Sequence, residues 1–134
     1  MASGSSQVES IAIRSMLDPN AVLITEVDII FVYDRFLLNE LPMNKTDWYS
    51  NKRRVTSQYK DSLDVVNIFI PQGFDSVEAI LPVRRNEAVK AFVFAYHDDS
   101  KALPVEITHI ANVKIEIDPF GIRVLDESLV NTKN

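Results

Sequence analysis

Nine consecutive residues, Ala88, Val89, Lys90, Ala91, Phe92, Val93, Phe94, Ala95 and Tyr96, form a run that is apolar but for one lysine, and this run constrains the fold most. It is too short to cross a membrane and rich in residues that favour strands. Alternation places Ala88, Lys90, Phe92, Phe94 and Tyr96 on one face and Val89, Ala91, Val93 and Ala95 on the other, so both faces need cover. A strand covered twice belongs inside a sheet, where each buried phenylalanine contributes about 1.5–3 kcal/mol.

Other segments offer partners. Weak alternation over 8–16, with Ile11 and Ile13 apolar, ends in the breaker Leu17-Asp18-Pro19-Asn20. The next stretch, 21–33, sets Val27, Ile29, Phe31 and Tyr33 against Glu26, Asp28, Ile30 and Val32, with the acidic residues expected at an exposed rim. So few residues separate these two strands that an antiparallel pair is the simplest connection. Residues 63–70 read as a strand stopped by Pro71-Gln72-Gly73, 76–82 as a half-buried strand, and 103–107 as a short edge strand. Val113, Ile115 and Ile117 alternate toward the turn Asp118-Pro119-Phe120-Gly121, and Ile122 and Val124 follow it, which is a hairpin across a type I turn.

The segment 34–63 departs from this period. Thr46 is suited to cap a short helix, Asp47 to complement its positive end, and Lys52-Arg53-Arg54 to lie near its negative end as a solvated face. Trp48, with Phe36 or Leu41, is expected to pin this excursion to the sheet. The count is about eight strands and one short helix: an all-β, antiparallel β-sandwich of transthyretin-like type. Residues 8–126 form its single domain, between a flexible leader or expression remnant at 1–7 and a frayed tail at 127–134.

Little in the chain points to chemistry. A net charge of −5 argues against a nucleic-acid groove, and the absence of cysteine removes disulfides, thiolate nucleophiles and cysteine-type zinc sites. Only three glycines are present, too few for a phosphate-cradling loop, and no catalytic motif or cofactor signature occurs. His97, Asp98 and Asp99 offer imidazole beside carboxylates, but nothing nearby in sequence completes a metal-ligand set, and a hydrophilic connecting loop explains them. His109 stands alone as a surface or capping residue. Asn44-Lys45-Thr46 fits a glycosylation acceptor, a pattern short enough to arise by chance.

The order of these pieces resembles the outer-membrane lipoprotein of the type VI secretion system, the TssJ family. Ile11-Ala12-Ile13-Arg14-Ser15-Met16-Leu17-Asp18-Pro19-Asn20 looks like the family's first strand and loop, and Val27-Asp28-Ile29-Ile30-Phe31-Val32-Tyr33 like the apolar strand ending in tyrosine. Asp47-Trp48-Tyr49 falls where the family has an aromatic pair in its helical segment. Ala91-Phe92-Val93-Phe94-Ala95-Tyr96-His97-Asp98 is similar to a later strand, and Asn112-Val113-Lys114-Ile115-Glu116-Ile117 with Gly121-Ile122-Arg123-Val124 to the closing hairpin. The first loop is shorter than usual in the family, and the lipidated cysteine is not among these residues.

The resemblance implies a non-enzymatic assembly protein of the periplasm, held at the inner face of the outer membrane by an N-terminal lipid that these residues do not carry. It implies a partner too, the periplasmic C-terminal domain of the inner-membrane subunit TssM, held by the first loop through Leu17, Asp18, Pro19, Asn20, Ala21 and Val22. Residues alone leave two other readings open. One is a transthyretin-like small-molecule enzyme or binding protein using His97, Asp98 and Asp99; the other is an adhesion module.

Overall fold

The computed structural model describes residues 5–21, 23–42 and 44–128. Its strands are β1 (Ser10–Ser15), β2 (Thr25–Val32), β3 (Leu63–Ile70), β4 (Ser76–Glu78), β5 (Lys90–Ala95), β6 (Val105–Glu106), β7 (Asn112–Asp118) and β8 (Gly121–Asp126). One helix, α1 (Lys45–Gln58), interrupts them, with 3₁₀ turns at Arg35–Asn39 and Arg85–Glu87. Two four-stranded sheets result, in the orders β4-β1-β7-β8 and β3-β2-β5-β6. The two-sheet sandwich with one helical excursion is the architecture the strand pattern predicts.

The run at 88–96 does have cover on both faces. Ala91, Val93 and Ala95 face the other sheet, meeting Ile11, Ile13, Val27, Ile29, Phe31, Val113, Ile115 and Ile117 in the sandwich core. Phe92 and Phe94 face α1, in a second cluster with Ile30, Val32, Leu37, Trp48, Val55 and Leu63. The phase slips at the start of the run: Ala88 joins the sandwich core and Val89 the helix side, because the turn Arg85–Glu87 delivers the chain out of register and strand geometry begins only at Lys90. β2 is likewise buried on both faces, which places it between β3 and β5.

That position overturns the expected pairing of the first two strands. β1 lies in the other sheet, between β4 and β7, and the connection 16–24 crosses from sheet to sheet. The β1–β7 ladder is parallel, from Ser10 opposite Asn112 to Ser15 opposite Ile117, so the sandwich is mixed and not antiparallel throughout. Hydrophobic alternation selects the face a strand buries, not its neighbour or direction. β4 is also shorter than expected, three exposed residues at a sheet edge.

In α1 the cap is Asn44, whose extended backbone (φ −140°, ψ 167°) lets its Oδ1 accept from the Asp47 N–H at 2.9 Å, so Thr46 already lies inside the helix. The helix runs on to Gln58, which puts Lys52, Arg53 and Arg54 mid-helix; Arg53 and Arg54 are solvated while Lys52 turns inward. Trp48 is fully buried as expected, stacked on Phe94 with ring centres 5.9 Å apart. Of the two expected companions, Leu41 packs half-buried against the same cluster and Phe36 is left 68% exposed, while Leu37 is buried in the cluster as well. Among the described residues, no helix is long and apolar enough to cross a membrane.

At the amino end, Ser5 and Ser6 donate their backbone N–H groups to the Ala88 carbonyl (2.9 and 3.0 Å) and Gln7 to that of Thr108 (2.8 Å). Hydrogen bonding to the domain thus begins before Val8. Residues 129–134 of the expected tail lie outside the described residues, as do Val22 and Met43.

Candidate partner-binding end

The parallel β1–β7 pair brings the carboxyl ends of both strands together. Met16 donates its N–H to the Ile117 carbonyl at 2.8 Å, so the connection 16–24 lies beside the turn Asp118-Pro119-Phe120-Gly121. In the other sheet, Thr25 pairs with Ile70 and the Tyr96 N–H donates to the Glu26 carbonyl at 2.9 Å, which puts 71–75 and 96–104 at the same end. Four connections therefore converge on one end of the sandwich. α1 is rooted there as well, with Lys45 and Thr46 donating to the carbonyls of Ala102 (2.9 Å) and Ser100 (3.2 Å).

Of the residues expected to hold a partner, Asp18, Pro19 and Asn20 are exposed and Ala21 is half-buried. They form a defined turn. The Asp18 carboxylate accepts from the Asn20 N–H, and the Asp18 carbonyl from the Ala21 N–H, each at 2.8 Å. Leu17 is placed otherwise: its side chain packs against the sandwich core, so it anchors the loop more than it offers a contact. Val22 lies outside the described residues. Exposed apolar side chains lie at the same end of the sandwich, namely Met16 (49%), Ile24 (60%), Phe69 (61%), Tyr96 (51%) and Phe120 (87%). Sequence reasoning missed Phe69 and Tyr96 because each sits in an apolar run read as needing cover; in the structure Phe69 is exposed on β3 together with Asn67, and Tyr96 follows the end of β5.

His97 clamps this end together across the two sheets. Its Nε2 lies 2.9 Å from the Asp118 carbonyl and 3.1 Å from that of Gly121, and since carbonyls only accept, Nε2 carries the proton and donates. Nδ1, at 3.0 Å from Thr25 Oγ1, is then free to accept the Thr25 hydroxyl proton. A Cβ at Gly121 would come within 2.8 Å of the Asp98 carboxylate, so a side chain there would make that carboxylate swing aside. Asp98 and Asp99 turn back on their own loop and accept the N–H groups of Asp99 (2.8 Å) and Lys101 (2.9 Å). The three residues do not converge on a reacting atom. Among the described residues, no group of three metal-ligating side chains comes together.

Behind the loops, α1 is locked down by a carboxylate. Asp28 is fully buried and accepts from Trp48 Nε1 (2.8 Å), Lys52 Nζ (2.8 Å) and Asn67 Nδ2 (2.6 Å), while Lys52 also reaches Glu26 at 3.2 Å. Asp28 was expected at an exposed rim; α1 covers it. Trp48 and Lys52 stand four residues apart on one helix face, two donors looking for an acceptor, and that spacing was the legible signal. Burial acts to lower the Lys52 pKa, but hydrogen bonds and charge from Asp28 and Glu26 outweigh it and hold the pKa raised. Tyr49 beside them has its phenol pushed far above its ordinary value, by burial first and then by the charges of Asp28 and Glu26.

No protein-family model matches this chain, and no curated protein matches it in sequence. Its fold does match solved structures. They define a class, the lipoproteins of the type VI secretion system, whose fold this sandwich with its covering helix shares. One is the T6SS lipoprotein TssJ1 from Pseudomonas aeruginosa, at TM-score 0.53 and 10% identity, covering 88% of this chain and 95% of that one. Another is Serratia marcescens Lip, a membrane bound component of the type VI secretion system, at TM-score 0.52 and 10% identity over 87% and 96% of the two chains. The likeness is one of fold and runs nearly the full length of each.

Proposed function

We propose that this chain is a non-enzymatic structural component of a type VI secretion envelope complex, lipid-anchored at the periplasmic face of the outer membrane. It tethers the periplasmic C-terminal domain of a TssM-like inner-membrane subunit. The observation that carries this reading is the near-complete overlap in fold with two type VI secretion lipoproteins. The reading without catalysis is supported by His97, whose ring nitrogens are both engaged in holding the loops together.

Contact with the partner runs through the loop end. Asp18, Pro19 and Asn20 form its exposed polar tip, Ala21 and Val22 continue the same loop, and Leu17 fixes its base to the core. Ile24, Tyr96, Phe69 and Phe120 supply apolar area that a partner would cover. The His97 clamp and the buried Asp28 cluster keep this surface preformed, which lowers the ordering cost of binding. Calorimetric titration of the chain against the periplasmic C-terminal domain of its TssM tests the reading. Saturable binding at one-to-one stoichiometry is expected, and no heat of binding across the micromolar range overturns it.

A further inference from the structure

The opposite end of the sandwich carries the two most exposed large aliphatic side chains among the described residues, Ile80 (90%) and Val83 (97%). Both sit on the connection that leaves β4 and wraps the incoming amino-terminal strand. The Ala79 N–H donates to the Ile11 carbonyl at 2.8 Å, Asn86 Nδ2 reaches the carbonyls of Ser6 (3.1 Å) and Val8 (3.3 Å), and Arg85 pairs with Glu9 at 3.5 Å. The tip is therefore stitched to the place where the chain enters the fold. Any amino-terminal anchor joins the sandwich there, on the side away from the four convergent loops.

We propose that Ile80 and Val83 are a lipid-contacting tip, which enters the interfacial layer of the bilayer once the amino terminus is anchored and turns the partner-binding end away from the membrane. The inference rests on the lipoprotein reading above. Two exposed aliphatic side chains on one bend are poorly suited to water, and a bilayer to which the same end is tethered is the apolar phase within reach. The contact is hydrophobic rather than electrostatic. Arg84 is engaged by Asp64 at 3.1 Å and by the Tyr33 ring at 3.9 Å, Arg85 is engaged by Glu9, and the exposed Arg35 shares this end with three acids, Asp34, Asp61 and Glu87. With a net charge of −5, the untethered chain has no general attraction to anionic headgroups. Contact should thus require the anchor and ignore lipid charge.

The absence of cysteine makes single-site labelling clean. Ile80→Cys, Val83→Cys and Phe120→Cys, each carrying an environment-sensitive fluorophore, are tethered by an amino-terminal histidine tag to phosphatidylcholine vesicles doped with a nickel-chelating lipid. The expected result at positions 80 and 83 is a blue shift with about a twofold gain in emission, as for a probe leaving water for the interface. Position 120 should not change, and the result should be the same with anionic lipid added. Ile80→Asp should abolish the shift of a probe at position 83. No shift at positions 80 and 83, an equal shift at position 120, or a shift that appears without vesicles as protein concentration rises overturns the proposal. Partner titration is run in solution without lipid, so failure of the tethering reading and failure of this contact are told apart.

Discussion

Asp28→Ala should detach α1 from the sheet more than any exposed charge could, and its cost follows from who loses a partner. Lys52 and Asn67 both keep Glu26 as an acceptor. Trp48 Nε1 keeps none, and an orphaned buried N–H costs about 1–3 kcal/mol. Lys52 is 28% exposed, so its weakened ion pair is screened and adds about 1 kcal/mol at most. The sum is roughly 1–4 kcal/mol, or on the order of 4–14 °C in Tm for a domain of this size. The assay is urea unfolding followed by far-ultraviolet circular dichroism, with Glu26→Ala as the control because its carboxylate is 34% exposed and should cost within about 1 kcal/mol. If the two variants unfold at the same urea concentration, the helix is held by Trp48 and its apolar neighbours alone, and the argument from the buried carboxylate fails.

Three further outcomes are expected. Asp18→Arg together with Asn20→Arg should weaken TssM-domain binding at least about tenfold while moving stability by about 0.5 kcal/mol or less, since both side chains are exposed; unchanged affinity in calorimetry moves the interface off this loop. His97→Ala should cost about 1–3 kcal/mol and lower partner affinity together with stability, because it unpins the sheet of β2 from the β7–β8 turn of the other sheet; thermal melts and titration on one preparation check the coupling. The pH dependence should fall at both extremes. Burial acts to raise the Asp64 pKa, but bonds from Arg84 and Tyr33 leave it below its ordinary 3.8, so its contribution is present above that value and is lost as pH falls through the lowered one. Lys52, raised above 10.5, and Tyr33 and Tyr49, raised above 10.0, contribute fully below those values and lose stability as pH climbs past them; melts that stay flat from neutral pH to pH 11 contradict this assignment.

What the sequence made legible follows the reach of each signal. Periodicity found β3 to the residue and the closing hairpin with its two-residue turn, because those elements are specified by residues close in the chain. It also found the doubly covered run at 88–96. Pairing was out of reach: Ile11 and Ile13 bury the same face whether β1 lies beside β2 or β7, and only competition for the inner positions decides. The cap was missed by two residues because Asn44, Thr46 and Asp47 all suit a helix start, and backbone geometry chooses among them. Asp28 looked like a rim residue because a lone acid in an alternating strand reads the same whether water or a helix faces it. At the candidate site, the exposed Asp18-Pro19-Asn20 turn could be read locally. The convergence of four connections could not, because it depends on a parallel pair spanning about a hundred residues of sequence.

The most direct test of the account is a backbone amide chemical-shift map of the chain with and without the TssM-like periplasmic domain proposed as its partner. The account predicts that shifts on binding cluster at 17–24, 69–75, 96–104 and 118–121, at one end of the sandwich, and spare 79–89. Perturbations centred on 79–89, or a spectrum that does not change at saturating partner, would contradict it.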